Sequence, residues 1–272
     1  MCTILVITSF FTFVNQNIRE YGSRLLAFSL LFYFVQPQIS FSQDTTQNIE
    51  KPSIIDLGFG FGGNIPAGDL KNRYGTNLNL STQVHYITRK DFVMGGGLMF
   101  IFGDNVKEDV LTPFRTNTGV IPGDDNQIAD VFLRQRGLYL GADFGKLFPV
   151  SKKFRSGIVA LLSGGVLQHN IRFTDERNSV AQIRAGRSVG YDRLTRGFAL
   201  RQSIGYKHLS NDKRVNFEVL LDFIQGFTSE IRAVNFDTGL PTIPSRKDLM
   251  LGFRVKWNLP FYFGGKDEII YY

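Results

Sequence analysis

Ile54–Gly63, IIDLGFGFGG, alternates with a period of two: Ile55, Leu57, Phe59 and Phe61 share one side, and Asp56, Gly58, Gly60 and Gly62 the other. Such a segment is a strand with a single apolar face. A strand lying on a soluble core and a strand lying against lipid both show this pattern. The remainder of the chain decides between them.

The same alternation returns along the sequence. In Leu78–Tyr86 (LNLSTQVHY), Leu78, Leu80, Thr82, Val84 and Tyr86 oppose Asn79, Ser81, Gln83 and His85. Phe92–Phe102 (FVMGGGLMFIF) keeps Phe92, Met94, Leu98, Phe100 and Phe102 on one face, and Leu138–Phe148 (LYLGADFGKLF) sets Leu138, Leu140, Ala142 and Phe144 against Tyr139, Gly141, Asp143 and Gly145. Phe198–Tyr206, Val215–Phe223 and Leu249–Phe261 repeat the theme, whereas Phe154–Leu167 is a strand of ambiguous facing. The expectation is eight strands. Long connections (Asn64–Asn77, Gly103–Arg136, Gln168–Arg196, Gln225–Lys247) alternate with short ones (Ile87–Asp91, Pro149–Lys153, Ser210–Arg214) without exception. A soluble barrel has no reason to sort its loops in this way, but an outer-membrane barrel does, with tight periplasmic turns and long outside loops. The fold class expected is therefore all-β: an eight-stranded antiparallel transmembrane β-barrel, an up-and-down meander with a filled interior, spanning 53–263.

Composition agrees. Among 272 residues, 26 Phe and 28 Gly accompany one Cys and four Met, a recipe for aromatic-anchored strands and close backbone approach rather than for a helical enzyme. Residues 1–43 read as a signal peptide: Arg19 and Arg24 precede the apolar run Leu25–Val35 and a polar exit at Gln36–Gln43, and that run is shorter than the roughly 20 residues of a membrane-spanning helix. The segment before Val14 is apolar without positive charge, which makes Val14 a candidate for the true start. Residues 44–52 form a polar N-terminal tail and 264–272 a C-terminal tail, both assigned to the periplasm. Cys2 precedes the apolar run, so it is no lipid anchor, and removal of 1–43 leaves a chain with no thiol for a disulfide or a Cys-ligated metal. The formal charge is +7, too modest to imply nucleic acid.

The first hairpin, GFGFGGNIPAGDLKNRYGTNLNL, carries Pro66, Gly68, Asp69, Leu70, Arg73, Tyr74 and Gly75. In these residues it resembles the opening of small outer-membrane barrels of Bacteroidota-type Gram-negative bacteria, and across 53–263 the architecture is similar to the eight-stranded OmpA and OmpX type. The resemblance implies a fold and an address in the cell outer membrane. It implies no single activity, because adhesins, structural barrels and accessories of secretion or surface assembly share it.

With the apolar faces in lipid, the interior collects Asp56, His85, Asp143, Arg201, Lys207, Glu218, Asp222, Arg254 and Lys256. An eight-stranded barrel is only wide enough to be filled by side chains, and charges in a low-dielectric interior pair or neutralise. A salt-bridged plug is expected, with a narrow channel as the alternative.

GYKHLSNDKR, Gly205–Arg214, raises an enzymatic alternative. Outer-membrane lipid A deacylases of the PagL type use a His-x-Ser-Asn stretch, and His208, Ser210 and Asn211 match it. The imidazole would activate the hydroxyl. Strand counting from a periplasmic N-terminus puts this turn on the periplasmic side, away from lipid A, and Ser-Asn-Asp-Lys is ordinary turn chemistry. No catalytic residue is therefore assigned, His208 and Ser210 being the runner-up pair.

The third long connection holds Arg172, Arg177, Arg184, Arg187, Arg193 and Arg196, candidates for gripping lipopolysaccharide phosphates or an acidic partner. The second opposes it in sign, with Asp104, Glu108, Asp109, Asp124, Asp125 and Asp130, so the two loops can also neutralise each other. Asp124-Asp-Asn lacks the alternating carboxylates of a calcium loop, and no metal or cofactor is expected. The aromatic last strand, broken by Pro260, resembles those that barrel-assembly machinery recognises. The function expected is a non-enzymatic outer-membrane barrel, structural or partner-binding through its long loops.

Overall fold

The computed structural model describes residues 51–150, 155–184, 187–210, 215–242 and 245–263. The expected signal peptide, most of the N-terminal tail, the C-terminal tail and Asn211 lie outside them. Eight strands close on themselves in the order β1 (Ser53–Gly68), β10 (Arg246–Phe263), β9 (Asn216–Glu230), β8 (Thr195–Leu209), β7 (Gly157–Asp175), β6 (Val131–Pro149), β3 (Phe92–Gly103) and β2 (Asn77–Ile87). Every neighbouring pair is antiparallel. Two short strands, β4 (Ile121–Pro122) and β5 (Ile128–Ala129), pair within the second long connection.

Outward side chains form a continuous apolar belt: Phe59, Phe61, Leu80, Phe100, Leu140, Phe144, Leu162, Phe198, Ile204, Leu221, Leu251 and Trp257 are all exposed. Large apolar side chains left uncovered around a whole barrel are at home only in hydrocarbon. The outside is thus the greasy face and the inside the polar one, the inverse of a soluble barrel.

The opening stretch has a second function that its aromatic face conceals. Gly58, Gly60 and Gly62 point into the lumen, opposite Gln83, Lys256 and Arg254 in the strand registers. A Cβ on Gly60 would lie 2.3 Å from Lys256 Cγ, and one on Gly62 would lie 2.9 Å from Arg254 Cγ and 2.0 Å from the Phe253 carbonyl oxygen. Missing side chains on β1 are the space in which long cationic side chains of β10 lie flat.

The strands run further than hydrophobic alternation predicts. The expected long connections shrink to 69–76, 104–130, 176–194 and 231–245. Above the belt the outward positions turn polar at Arg134, Arg136, Asn170 and Arg172, with the exposed Phe132 above them on β6, yet the ladder continues through Arg134 opposite Arg172 up to Val131 opposite Asp175. Hydrogen bonding does not require the apolar face that made the strands legible. Pro66 falls inside β1 rather than in a loop, where β2 has already ended and only β10 remains alongside, so its missing N–H breaks no second ladder. Pro260 is placed equivalently, beyond the last residue of β10 that pairs with β9.

The ambiguous strand β7 turns Ile158, Leu162 and Val166 outward and Val159, Leu161 and Leu167 inward. Both of its faces are apolar because the lumen itself is layered. At the short-turn end, Ile54, Ile87, Val93, Leu147, Val159, Leu161, Leu209 and Leu220 form one apolar cluster. At the other end, Val110, Leu111, Ile121 and Ala129 of the second long connection and Val180 and Ile183 of the third fold onto inward Met99, Ile101, Leu167, Ile171, Ile224 and Met250. The charged layer lies below the second plug and interleaves with the first, Leu220 being the inward residue between Glu218 and Asp222 on β9.

Candidate functional site

The charged layer contains all nine of the interior residues named above, each at most 4% exposed. Near the short-turn end, Lys207 contacts Asp56 and lies 3.3 Å from Glu218 Oε2, which also meets Lys256 Nζ at 2.9 Å. Glu218 stands directly opposite Lys207 on β8 and Lys256 on β10, so the strand register itself supplies both pairs. Lys256 also donates to Gln83 Oε1 (2.6 Å), and Asn258 donates to Asp56 Oδ2 (3.0 Å). One layer higher, Asp143 accepts from Arg201 (2.7 Å) and meets His85 Nε2 (2.8 Å), while Asp222 takes both Nε and Nη2 of Arg254 (2.5 and 2.8 Å) and the Ser203 hydroxyl (2.5 Å). Tyr139 bonds Ser163 at 2.6 Å beneath the Arg201 guanidinium. Such a network is built to hold, since each charge faces at least one opposite charge.

A second ionic cluster closes the long-loop end, and sequence alternation gave no warning of it. Arg73, on the one-turn helix α1 (Leu70–Arg73), pairs with Glu108 Oε2 (2.7 Å) and Glu230 Oε1 (2.5 Å) and donates to Thr195 Oγ1 (3.0 Å). Glu108 also receives Arg193 Nε (2.7 Å), and the Arg193 guanidinium grips both oxygens of Asp237 (2.8 and 2.7 Å). Arg73, Glu108, Arg193 and Asp237 come one each from the four long connections. The chain of contacts therefore ties all four together. Burial acts to raise the Glu108 carboxyl, but Arg73 and Arg193 outweigh it and hold it below the ordinary carboxylate range.

This cluster explains the residues of the first hairpin. Gly68 takes the left-handed conformation (φ 58°) that turns β1 into α1, and Asp69 Oδ2 accepts the Lys247 backbone N–H at 2.8 Å, tying the turn to the start of β10. Leu70 and Tyr74 are buried in the upper plug, Tyr74 edge-on to His169 at 5.5 Å. Burial pushes the Tyr74 phenol well above its usual range. His169, expected in a loop, lies in β7 and contacts Asp248 at 2.9 Å inside the lumen.

The six arginines named as surface binders separate. Arg193 is a correction: at 4% exposure, with its guanidinium held by Glu108 and Asp237, it is a structural tie and presents nothing to a ligand. Arg184 pairs with Asp124 (2.7 Å) and Arg177 lies 3.8 Å from Asp125, so the second and third connections do bind each other. Arg172, Arg187 and Arg196 remain exposed.

His208 points outward from β8 near the short-turn end, its ring against Phe217 (5.0 Å between centroids) and its Nδ1 3.4 Å from Ser156 Oγ. The Ser210 backbone N–H donates to Asn216 Oδ1. His208 thus packs against an aromatic ring on the barrel wall, with the Ser156 hydroxyl at its edge.

No family model matches the sequence, and no curated protein matches it. Solved structures to which it is similar include small outer-membrane barrels. Ail of Yersinia pestis, solved with the heparin analogue sucrose octasulfate, is 8% identical with a TM-score of 0.35, covering 76% of this chain and 99% of that one. Neisserial surface protein A gives 11% and 0.34 (75% and 96% covered), and OprG of Pseudomonas aeruginosa 10% and 0.36 (77% and 96%). At these values none of them bears on what this chain does; the barrel is established by its own closed hydrogen-bond ring.

Proposed function

We propose that the chain is a non-enzymatic outer-membrane protein whose four long connections form one rigid binding face for a protein partner, displayed outside the cell, with both chain ends in the periplasm. The carrying observation is an apolar patch left open on loops that are otherwise tied down. Phe236 (57% exposed), Leu240 (64%) and Val189 (43%) lie uncovered on the third and fourth connections. Beneath them Phe236 packs edge-on against Tyr191 (5.7 Å), which packs against Phe114 (5.3 Å), so the patch rests on a fixed aromatic stack. A fixed apolar centre exposed on loops that ion pairs tie together is the arrangement of a protein–protein contact. The lumen, filled by its two apolar plugs and its ionic layer, supports the same reading over that of a channel.

The test is photo-crosslinking in the native outer membrane from a benzophenone side chain at Leu240, with a second probe at Lys90 on a short turn. A discrete protein adduct at Leu240, abolished by Phe236→Asp, is expected. A diffuse lipid-only adduct at Leu240, or the same adduct from Lys90, would overturn the proposal.

A further inference from the structure

A basic patch on the barrel wall, distinct from the loop arginines, stands directly above the apolar belt. Going up β6 on the outward face, Leu140 and Leu138 give way to Arg136 and then Arg134; on β7, Val166 gives way to Gln168, Asn170 and Arg172; on β8, Phe198 gives way to Arg196. Arg134 is the direct cross-strand partner of Arg172. Two like charges so placed repel, and Arg136 adds a third on the same face.

The wall supplies little to relieve them. Arg134 reaches Asp104 at 3.5 Å, a carboxylate 83% exposed to solvent. Arg136 donates to the Gln135 carbonyl oxygen, and Arg196 donates twice to Gln168 Oε1 (2.8 and 2.5 Å), contacts that leave both charges unneutralised. Arg172 has no hydrogen-bond or ion-pair partner among the described residues. The contrast with Arg177, Arg184 and Arg193, each facing a carboxylate, is one of placement: those belong to the loop scaffold and these to the wall.

A strand rises ~3.3 Å per residue, which sets Arg136 and Arg134 about 7 and 13 Å along the tilted strand above Leu138. A hydrocarbon core of ~30 Å within a bilayer of ~40–45 Å leaves about 5–7.5 Å of headgroup layer on each side; at a strand tilt of ~40° the two arginines stand about 5 and 10 Å up the membrane normal, Arg136 within that layer and Arg134 at its outer edge. The surface is continuous with the lipid belt, so its occupant is itself a lipid. Phosphate monoesters carry about −1.5 to −2 charges and accept from several guanidinium groups at once, matching a like-charged arginine pair better than a singly charged diester does. We infer that Arg134, Arg136, Arg172 and Arg196 form a site for the phosphate groups of a lipid A-type phosphorylated glycolipid; this rests on the reading that the long connections face outside.

The test is native mass spectrometry of the full protein released from detergent micelles doped with bis-phosphorylated lipid A, its dephosphorylated form or phosphatidylglycerol, with soluble sulfated oligosaccharide as competitor. Wild-type protein is expected to retain phosphorylated lipid A at least ten-fold better than either other lipid. The R134Q/R136Q/R172Q/R196Q variant should lose that preference while still showing the gel shift of a folded barrel, and R177Q/R187Q should keep it. Equal retention of dephosphorylated lipid or phosphatidylglycerol, displacement by the soluble polyanion, or an unchanged quadruple variant would each overturn the inference. Because the assay contains no cell, it reads the site independently of orientation, which thiol labelling on whole cells measures separately.

Discussion

Glu218→Gln is the sharpest perturbation of the barrel interior. The amide keeps the shape of the carboxylate but removes the charge shared by Lys207 (3.3 Å) and Lys256 (2.9 Å). Lys207 retains Asp56, whereas Lys256 is left with the Gln83 amide oxygen as its hydrogen-bond partner. Breaking a buried pair by removing one partner costs about 3–5 kcal/mol, because an uncompensated charge stays buried. At 1.4 kcal/mol per factor of ten, the unfolding equilibrium shifts by about two to three and a half orders of magnitude. Urea unfolding in lipid vesicles, followed by the fluorescence of Trp257 as it leaves the lipid face, measures it; Trp257 is the chain's single tryptophan and is 54% exposed on the belt. Adding Lys256→Met to Glu218→Gln should recover most of the loss, since the orphaned charge goes with it. A single variant within about 1 kcal/mol of the parent would refute the view that these charges are paired and dry.

Other consequences follow from the same geometry. Gly60→Ala places a methyl 2.3 Å from Lys256 Cγ and 2.7 Å from the Val255 carbonyl oxygen, and should destabilise the barrel by about 1–3 kcal/mol or more in the same unfolding assay. Glu108, its carboxyl held below the ordinary range, stabilises the loop face fully above the unfolded value of about 4.3 and loses that contribution as pH falls through its lower folded value. Pepsin cleavage of 104–130 in vesicles should therefore accelerate as pH drops below about 4, and Glu108→Gln should show the faster rate already at pH 4–5, where the parent stays protected. With apolar plugs at both ends of the lumen, planar-bilayer recordings should show no stable conductance beyond brief flickers.

Much of the wall was legible because lipid enforces a rule at every second residue. Ile55 to Phe61, or Leu249 to Phe261, must alternate, and the letters opposite them must then be the lumen. Parity alone placed Asp56, Glu218 and Lys256 inside. It failed on β7, where Val159, Leu161 and Leu167 face an apolar plug and both sides look alike. It failed again above Arg136, where strands leave the hydrocarbon and the outward face no longer needs to be apolar while the hydrogen-bond ladder continues. Arg193 could not be distinguished from its neighbours because its partners, Glu108 and Asp237, are remote in sequence and only closure of the ring brings them together. The motif residues Arg73 and Tyr74 carried a resemblance before they had a physical role; the tie among four loops supplies one.

The orientation of the barrel is open to a direct measurement that the composition makes simple. Cys2 is the only cysteine, so a single introduced thiol reports without background once the expected signal is removed. Thr118→Cys on the second long connection and Lys90→Cys on a short turn are both exposed positions. With a membrane-impermeant maleimide on intact cells, Thr118→Cys should label and Lys90→Cys should label only after the outer membrane is opened. Labelling of Lys90→Cys on intact cells, with Thr118→Cys protected, would contradict an outward-facing loop platform and with it the proposed function.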